Sequence, residues 1–177
     1  MKFQRKALAA FVLILISAGC DQVQRADITA PAFAANKKQT AFVQRVNALT
    51  TGQTQCAWVA PGQTATVAIG ANTLEIPRKA SSGPATYCMT IKPGSEIAVE
   101  LRAWDNAGIA LHEFRAPLRL TLSYADASEA PTGLRIMYVV NGEVVEVLGT
   151  GQDFNNKTVT SSLRHFSDYI IGFGPLE

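Results

Sequence analysis

At 177 residues the chain is long enough for one domain with a segment to spare. Its formal charge of +2 depends on Lys2, Arg5 and Lys6; without them 13 basic residues stand against 14 acidic ones, a net −1. That balance excludes binding driven by nucleic-acid phosphates, and Lys37-Lys38 is too short to form a basic patch.

The first 19 residues are ordered as a secretory signal: basic Met1–Lys6, an unbroken apolar run Ala7–Ile16, then the small residues Ser17-Ala18-Gly19 before Cys20. The apolar run is too short to span a bilayer comfortably as a helix. An ordinary cleaved signal that happens to meet a cysteine has the same outline. The small residues ending in cysteine resemble a bacterial lipobox, with Ser17 where a leucine is usual. The resemblance implies that the Cys20 thiol receives a diacylglycerol, that the signal peptidase cuts before it, and that the new amino terminus is acylated. Several acyl chains, at about 0.8 kcal/mol per buried methylene, hold a protein on a membrane essentially permanently. The implied place is the bacterial cell envelope, lipid-anchored and facing the periplasm or exterior. Asp21 resembles the inner-membrane retention signal of enteric bacteria.

Residues 20–53 read as a flexible tether, rich in Ala, Gln, Thr and Asn and interrupted by Pro31. Within it Phe42, Val46 and Leu49 have helical spacing, which allows a short helix from Gln39 to Leu49. With Cys20 lipidated, Cys56 and Cys88 remain, and outside the cytoplasm two such thiols usually pair. The pairing would stabilise the fold by roughly 3–4 kcal/mol in the chain-entropy model; two buried free thiols are the alternative. No metal or other cofactor is expected, since there is no C-x-x-C and the only histidines are His112 and His165.

From about Cys56 the pattern has period two. Ala65, Val67 and Ile69 alternate with polar or small neighbours, as do Leu74 and Ile76 up to Pro77. Tyr87, Met89 and Ile91 follow, ended by Pro93-Gly94, then Ile97, Val99 and Leu101 before a turn at Asp105–Gly108. Leu118, Leu120, Leu122 and Tyr124 share one face of a run bounded by Pro117 and Asp126. Short alternating runs between Gly, Pro and Asn predict an all-β, antiparallel β-sandwich over residues 54–177. Asn141-Gly142 between two valine-rich runs predicts a type I′ hairpin. Its register would pair Tyr138 with Val145 and Ile136 with Val147. Leu134, Ile136, Tyr138, Val145 and Val147 would face the core, and Arg135, Met137, Val139, Val144 and Glu146 would face away. Met137, Val139 and Val144 leave that second face rather apolar, to be covered by the tether or a partner or simply exposed.

Several short motifs occur in a familiar order: Leu74-Glu75-Ile76-Pro77 with Ala80, Phe114–Tyr124, Leu134-Arg135-Ile136, Lys157–Thr160, and His165-Phe166-Ser167-Asp168-Tyr169. Together they resemble the β-sandwich domain shared by zonula-occludens proteins, netrin receptors and ankyrins, in the bacterial form found in secreted lipoproteins. The resemblance covers roughly Val59 to Phe173, and the last motif is its most specific part. The family usually has Pro-x-Gly-Ala after the first Ile-Pro, whereas this chain has Pro77-Arg78-Lys79-Ala80. In several eukaryotic relatives, and in a self-cleaving nucleoporin domain, the His-Phe-Ser motif cuts itself. By resemblance, Ser167 Oγ would attack the Phe166 carbonyl with His165 as base, and the ester would hydrolyse. The alternative is structural: His165 and Phe166 as a packing pair, Ser167 satisfying a backbone group.

Other chemistry lacks its motif. No G-x-S-x-G elbow occurs, and Gly149-Thr150-Gly151 has neither the lysine nor the spacing of a phosphate loop. Asp105, Glu113 and Asp126 read as scattered turn carboxylates. Trp58 and Trp104 offer faces that stack sugars, although in a sandwich core or rim packing is the commoner role. The expected function is a non-enzymatic structural or protein-binding module of the envelope. A domain cut between Phe166 and Ser167 and a carbohydrate- or small-ligand-binding lipoprotein are the alternatives.

Overall fold

The computed structural model describes residues 41–129 and 132–174. The expected signal peptide, Cys20, Asp21 and the part of the expected tether up to residue 40 lie outside the described residues. Within them the chain is all β-strand with no helix. In order the strands are β1 (Ala41–Phe42), β2 (Gln44–Leu49), β3 (Gln53–Val59), β4 (Ala65–Ile69), β5 (Asn72–Ile76), β6 (Ala85–Ile91) and β7 (Gly94–Glu96). They continue as β8 (Ala98–Asp105), β9 (Glu113–Ser123), β10 (Arg135–Val140), β11 (Glu143–Val147), β12 (Thr150–Asp153), β13 (Thr158–His165) and β14 (Asp168–Phe173).

Two antiparallel sheets pack as a sandwich. A seven-stranded sheet runs β11-β10-β14-β8-β6-β3, with β1 added against β14; a five-stranded sheet runs β12-β13-β9-β5-β4. The period-two residues meet between them as expected. Leu74 and Ile76, Tyr87 and Met89, Val99 and Leu101, and Leu118, Leu120 and Leu122 are all buried in one core with Leu163, Tyr169 and Ile171. Strand β9 passes straight through Pro117, which is exposed. Proline removes one ladder donor, and the ladder between β9 and β13 is irregular at this point, between Leu163 and His165.

The segment 41–49 is strand rather than helix. β14 pairs with β8 through residues 168–170, and β1 takes over the same lane, placing Ala41 opposite Phe173 and Phe42 opposite Gly172. Val43 N–H then donates to the Ile171 carbonyl at 2.9 Å, and β2 pairs with β7. Vacant backbone donors and acceptors on these edges outweigh the helical spacing of Phe42, Val46 and Leu49. Most of residues 41–53, read as tether, is therefore strand: β1 joins the seven-stranded sheet, β2 forms a separate two-stranded sheet with β7, and β3 begins at Gln53. Gly172 permits the join: a Cβ there would lie 3.0 Å from the Ala41 carbonyl oxygen and 2.8 Å from Met137 Sδ.

The hairpin forms as expected, with Asn141 at φ 52° and Gly142 at φ 83°. Its register is corrected by a β-bulge between Tyr138 and Val139: Val139 pairs with Val144, but Tyr138 with Glu146 and Met137 with Val147. Val145 is the extra residue and is 60% exposed instead of core-facing. Leu134 and Ile136 are in the core as expected. Met137, expected to face away, is 2% exposed, because the outward face carries a second apolar cluster of its own. That cluster is Ala98, Met137 and Ile170, with Phe42, Val139, Val144 and Val147 packed against it. Val147 belongs to this outer cluster and not to the core.

The turn Pro77–Ala80 closes without a glycine before Ala80. Ala80 N–H donates to the Pro77 carbonyl at 3.2 Å, and Lys79 takes φ 66°, a conformation that glycine adopts without cost.

Candidate functional site

Three features of the seven-stranded sheet bear on function: the motif entering β14, the disulfide that clamps β3, and two grooves on the outward face.

At the entry to β14, Phe166 turns inward. Its ring lies 4.4 Å from Phe114 and 6.0 Å from Tyr87, edge-on to both. His165 lies beside the hairpin, against Tyr138 and Tyr169. Tyr169 Oη donates to the His165 carbonyl oxygen at 2.7 Å. The same Oη also lies 3.2 Å from His165 Nδ1. His165 Nε2 is 3.2 Å from Glu146 Oε2, and Tyr138 covers the ring at 4.9 Å. Burial, with the Glu146 charge and Tyr138 nearby, pushes the Tyr169 phenol well above the ordinary tyrosine range, which keeps it a donor. Both ring nitrogens of His165 are thus occupied by Glu146 and Tyr169. Ser167 Oγ has no hydrogen bond among the described residues; the Ser167 carbonyl accepts from Leu101 N–H at 3.0 Å. The partners Glu146, Tyr169 and Tyr138 could not be paired with His165 from sequence, since the bulge in β11 sets which residue reaches it.

Cys56 and Cys88 are joined by a disulfide. They face each other directly across the β3–β6 ladder, and β6 continues the row to Arg102 on β8. Neither thiol is free. Among the described residues no cluster of His, Cys, Asp and Glu gathers as a metal site.

The outward face divides into two ends. At the β10–β11 end a groove of about 530 Å3 lies over Ala98, Val139 and Ile170. Phe42, Pro93–Glu96 and the Asn141-Gly142 turn wall it in, and Lys92 and Asp168 form an ion pair of 2.7 Å on its rim. At the β3 end Trp58, Thr86 and Trp104 are successive cross-strand partners on one face. Trp58 is not a core residue: it is 60% exposed, and its Nε1–H donates to Asn106 Oδ1 at 3.2 Å. Beside Trp104 a second groove of about 440 Å3 is lined by Glu100, Arg102, His112, Phe166 and Ser167 among others. The alternation of β8 foretells that Glu100, Arg102 and Trp104 share a face; their meeting with His112 and Ser167 is a product of the fold.

The chain matches no family model, and no curated protein matches it.

Proposed function

We propose that this protein is a non-enzymatic lipoprotein of the bacterial envelope, held to a membrane through Cys20, and that its sandwich, akin to the domain of zonula-occludens proteins, netrin receptors and ankyrins, docks an extended apolar segment of another envelope protein. The observation that carries this reading is the apolar outward cluster at the β10–β11 end, which lies under a walled groove. A sandwich needs only its inner faces to be apolar, and a cleft with an apolar floor between polar walls on the outer face suits an interaction surface. The walls supply polar groups from Gly94–Glu96 and Asn141 beside an apolar floor, which suits a peptide with both a backbone and side chains to satisfy.

The geometry around His165 supports a structural role for the His-Phe-Ser motif. A base for Ser167 needs a free ring nitrogen directed at its hydroxyl, and both nitrogens of His165 are occupied elsewhere. The peptide bond between Phe166 and Ser167 is expected to stay intact. Denaturing mass spectrometry of the chain with its C-terminus preserved checks this; a species ending at Phe166 that disappears on Ser167→Ala would establish self-cleavage.

The docking reading is tested by site-specific crosslinking in the native envelope, from Asn141 on the groove and from Arg119, exposed on the opposite sheet. One partner captured from position 141, absent from position 119 and lost on Val139→Lys, is the expected result. Equal capture from both positions, or none from either, defeats it. The anchor is tested separately: Cys20→Ala should release the protein or leave the precursor uncut.

A further inference from the structure

We infer that the other end of the outward face, around Trp58 and Trp104, is a binding site for a neutral oligosaccharide. Trp58 is held still without being buried. The residue is 60% exposed, its Nε1–H donates to Asn106 Oδ1, and Cys56, on the same face two residues earlier, ties β3 to β6. A large apolar ring kept rigid and in water does nothing for the core, and its face is preorganised for a flat ligand. The axial C–H bonds of a pyranose suit the negative face of an indole.

Trp104 lies in the same cross-strand row with Thr86 between, so the two tryptophans stand about 10 Å apart, twice the inter-strand spacing. One sugar cannot cover both rings, which points to an oligomer. Next to Trp104 the 440 Å3 groove has Leu101, Ala103 and Phe166 among its lining, with Arg102, Glu100 and Ser167 at its polar side. Glu100 accepts from Arg102 Nε at 2.8 Å, and Lys92 offsets Asp168. The charges are balanced, so neither a phosphate nor a cation is favoured. Arg102 retains N–H groups beyond those it spends on Glu100, and the Ser167 hydroxyl, with no partner among the described residues, can donate and accept. A ligand dense in hydroxyls and without net charge fits that combination.

The chain's two tryptophans both lie at this site, so their emission reports on it directly. The full chain in detergent micelles is titrated with a linear N-acetylglucosamine tetramer, a linear glucose tetramer and the two monomers, by fluorescence and calorimetry. Saturable binding of at least one tetramer is expected, roughly tenfold or more tighter than its monomer. Trp58→Ala should weaken it roughly tenfold or more, the scale of one lost aromatic face, and Trp58→Phe should restore most of it. Because Trp58 is exposed, both variants should melt with the wild type, which separates lost binding from lost folding. No saturation with either tetramer up to about 10 mM, equal affinity for monomer and tetramer, or unchanged binding by Trp58→Ala would each overturn the site.

Discussion

The disulfide is the sharpest place to test the energetics of this fold. Strand β3 is an edge strand, and it buries little: Val59 is its one fully buried side chain, with Ala57 half-buried. A seven-residue ladder to β6 and the Cys56–Cys88 bond hold it in place. The cysteines are 32 residues apart in sequence. In the chain-entropy model a loop of that length confers about 3.7 kcal/mol by restricting the unfolded chain. Replacing both residues, Cys56→Ala with Cys88→Ala, removes the link without leaving a lone thiol. Cys88 is 6% exposed, and the loss of its sulfur adds about 1 kcal/mol at most. Urea unfolding of wild type and double variant, extrapolated linearly, should differ by about 4 kcal/mol, and the melting temperatures by roughly 10 °C. Hydrogen exchange should show β3 losing protection before β8. A difference below about 1 kcal/mol would refute the reasoning, since it would mean that the crosslink restricts nothing the unfolded chain had not already lost.

Three further outcomes follow from particular side chains. Met137→Asp should cost more than about 3 kcal/mol by burying an unpaired carboxylate, whereas Val145→Asp, on the exposed bulge, should stay within about 0.5 kcal/mol; thermal melts decide, and equal losses would refute the bulged register. Lys79→Gly should raise stability by about 1 kcal/mol in denaturant unfolding, because φ 66° costs a side chain and not a glycine; no gain would mean that the turn relaxes. Asp153 accepts from the Asn156 N–H and side-chain amide and from the Asn155 N–H, and these bonds hold its carboxylate below the ordinary range. Its contribution is therefore full above the unfolded value of about 3.9 and is lost as pH falls through the lowered folded value. The Asn156 amide resonance should titrate there, and Asp153→Asn should abolish the transition.

The class of fold was written locally. Alternation at Leu118, Leu120, Leu122 and Tyr124, or at Val99 and Leu101, needs no partner to reveal a buried face, because side chains of a strand alternate whatever it pairs with. Asn141-Gly142 announced its turn for the same reason: positive φ is a property of two residues. The Cys56–Cys88 bond was expected from the parity of the cysteines and an expected place outside the cytoplasm, and the ladder sets the two side by side.

Pairing register and outer-face chemistry are different in kind. One extra residue in β11 turned Val145 outward and brought Glu146 to His165, and no local pattern records a bulge. Phe42, Val46 and Leu49 have helical spacing, yet they became strand because β14 and β7 offered free edges. Met137 is buried only because Phe42, from the other end of the chain, and the hairpin valines pack over it. The placement of Trp58, Trp104 and the groove residues likewise depends on strands far apart in sequence. Local conformational preference is set by a few bonded neighbours and can be read from them. Which edge a strand finds, and which side chain it meets there, is decided by long-range pairing, and that exists only once the chain has folded.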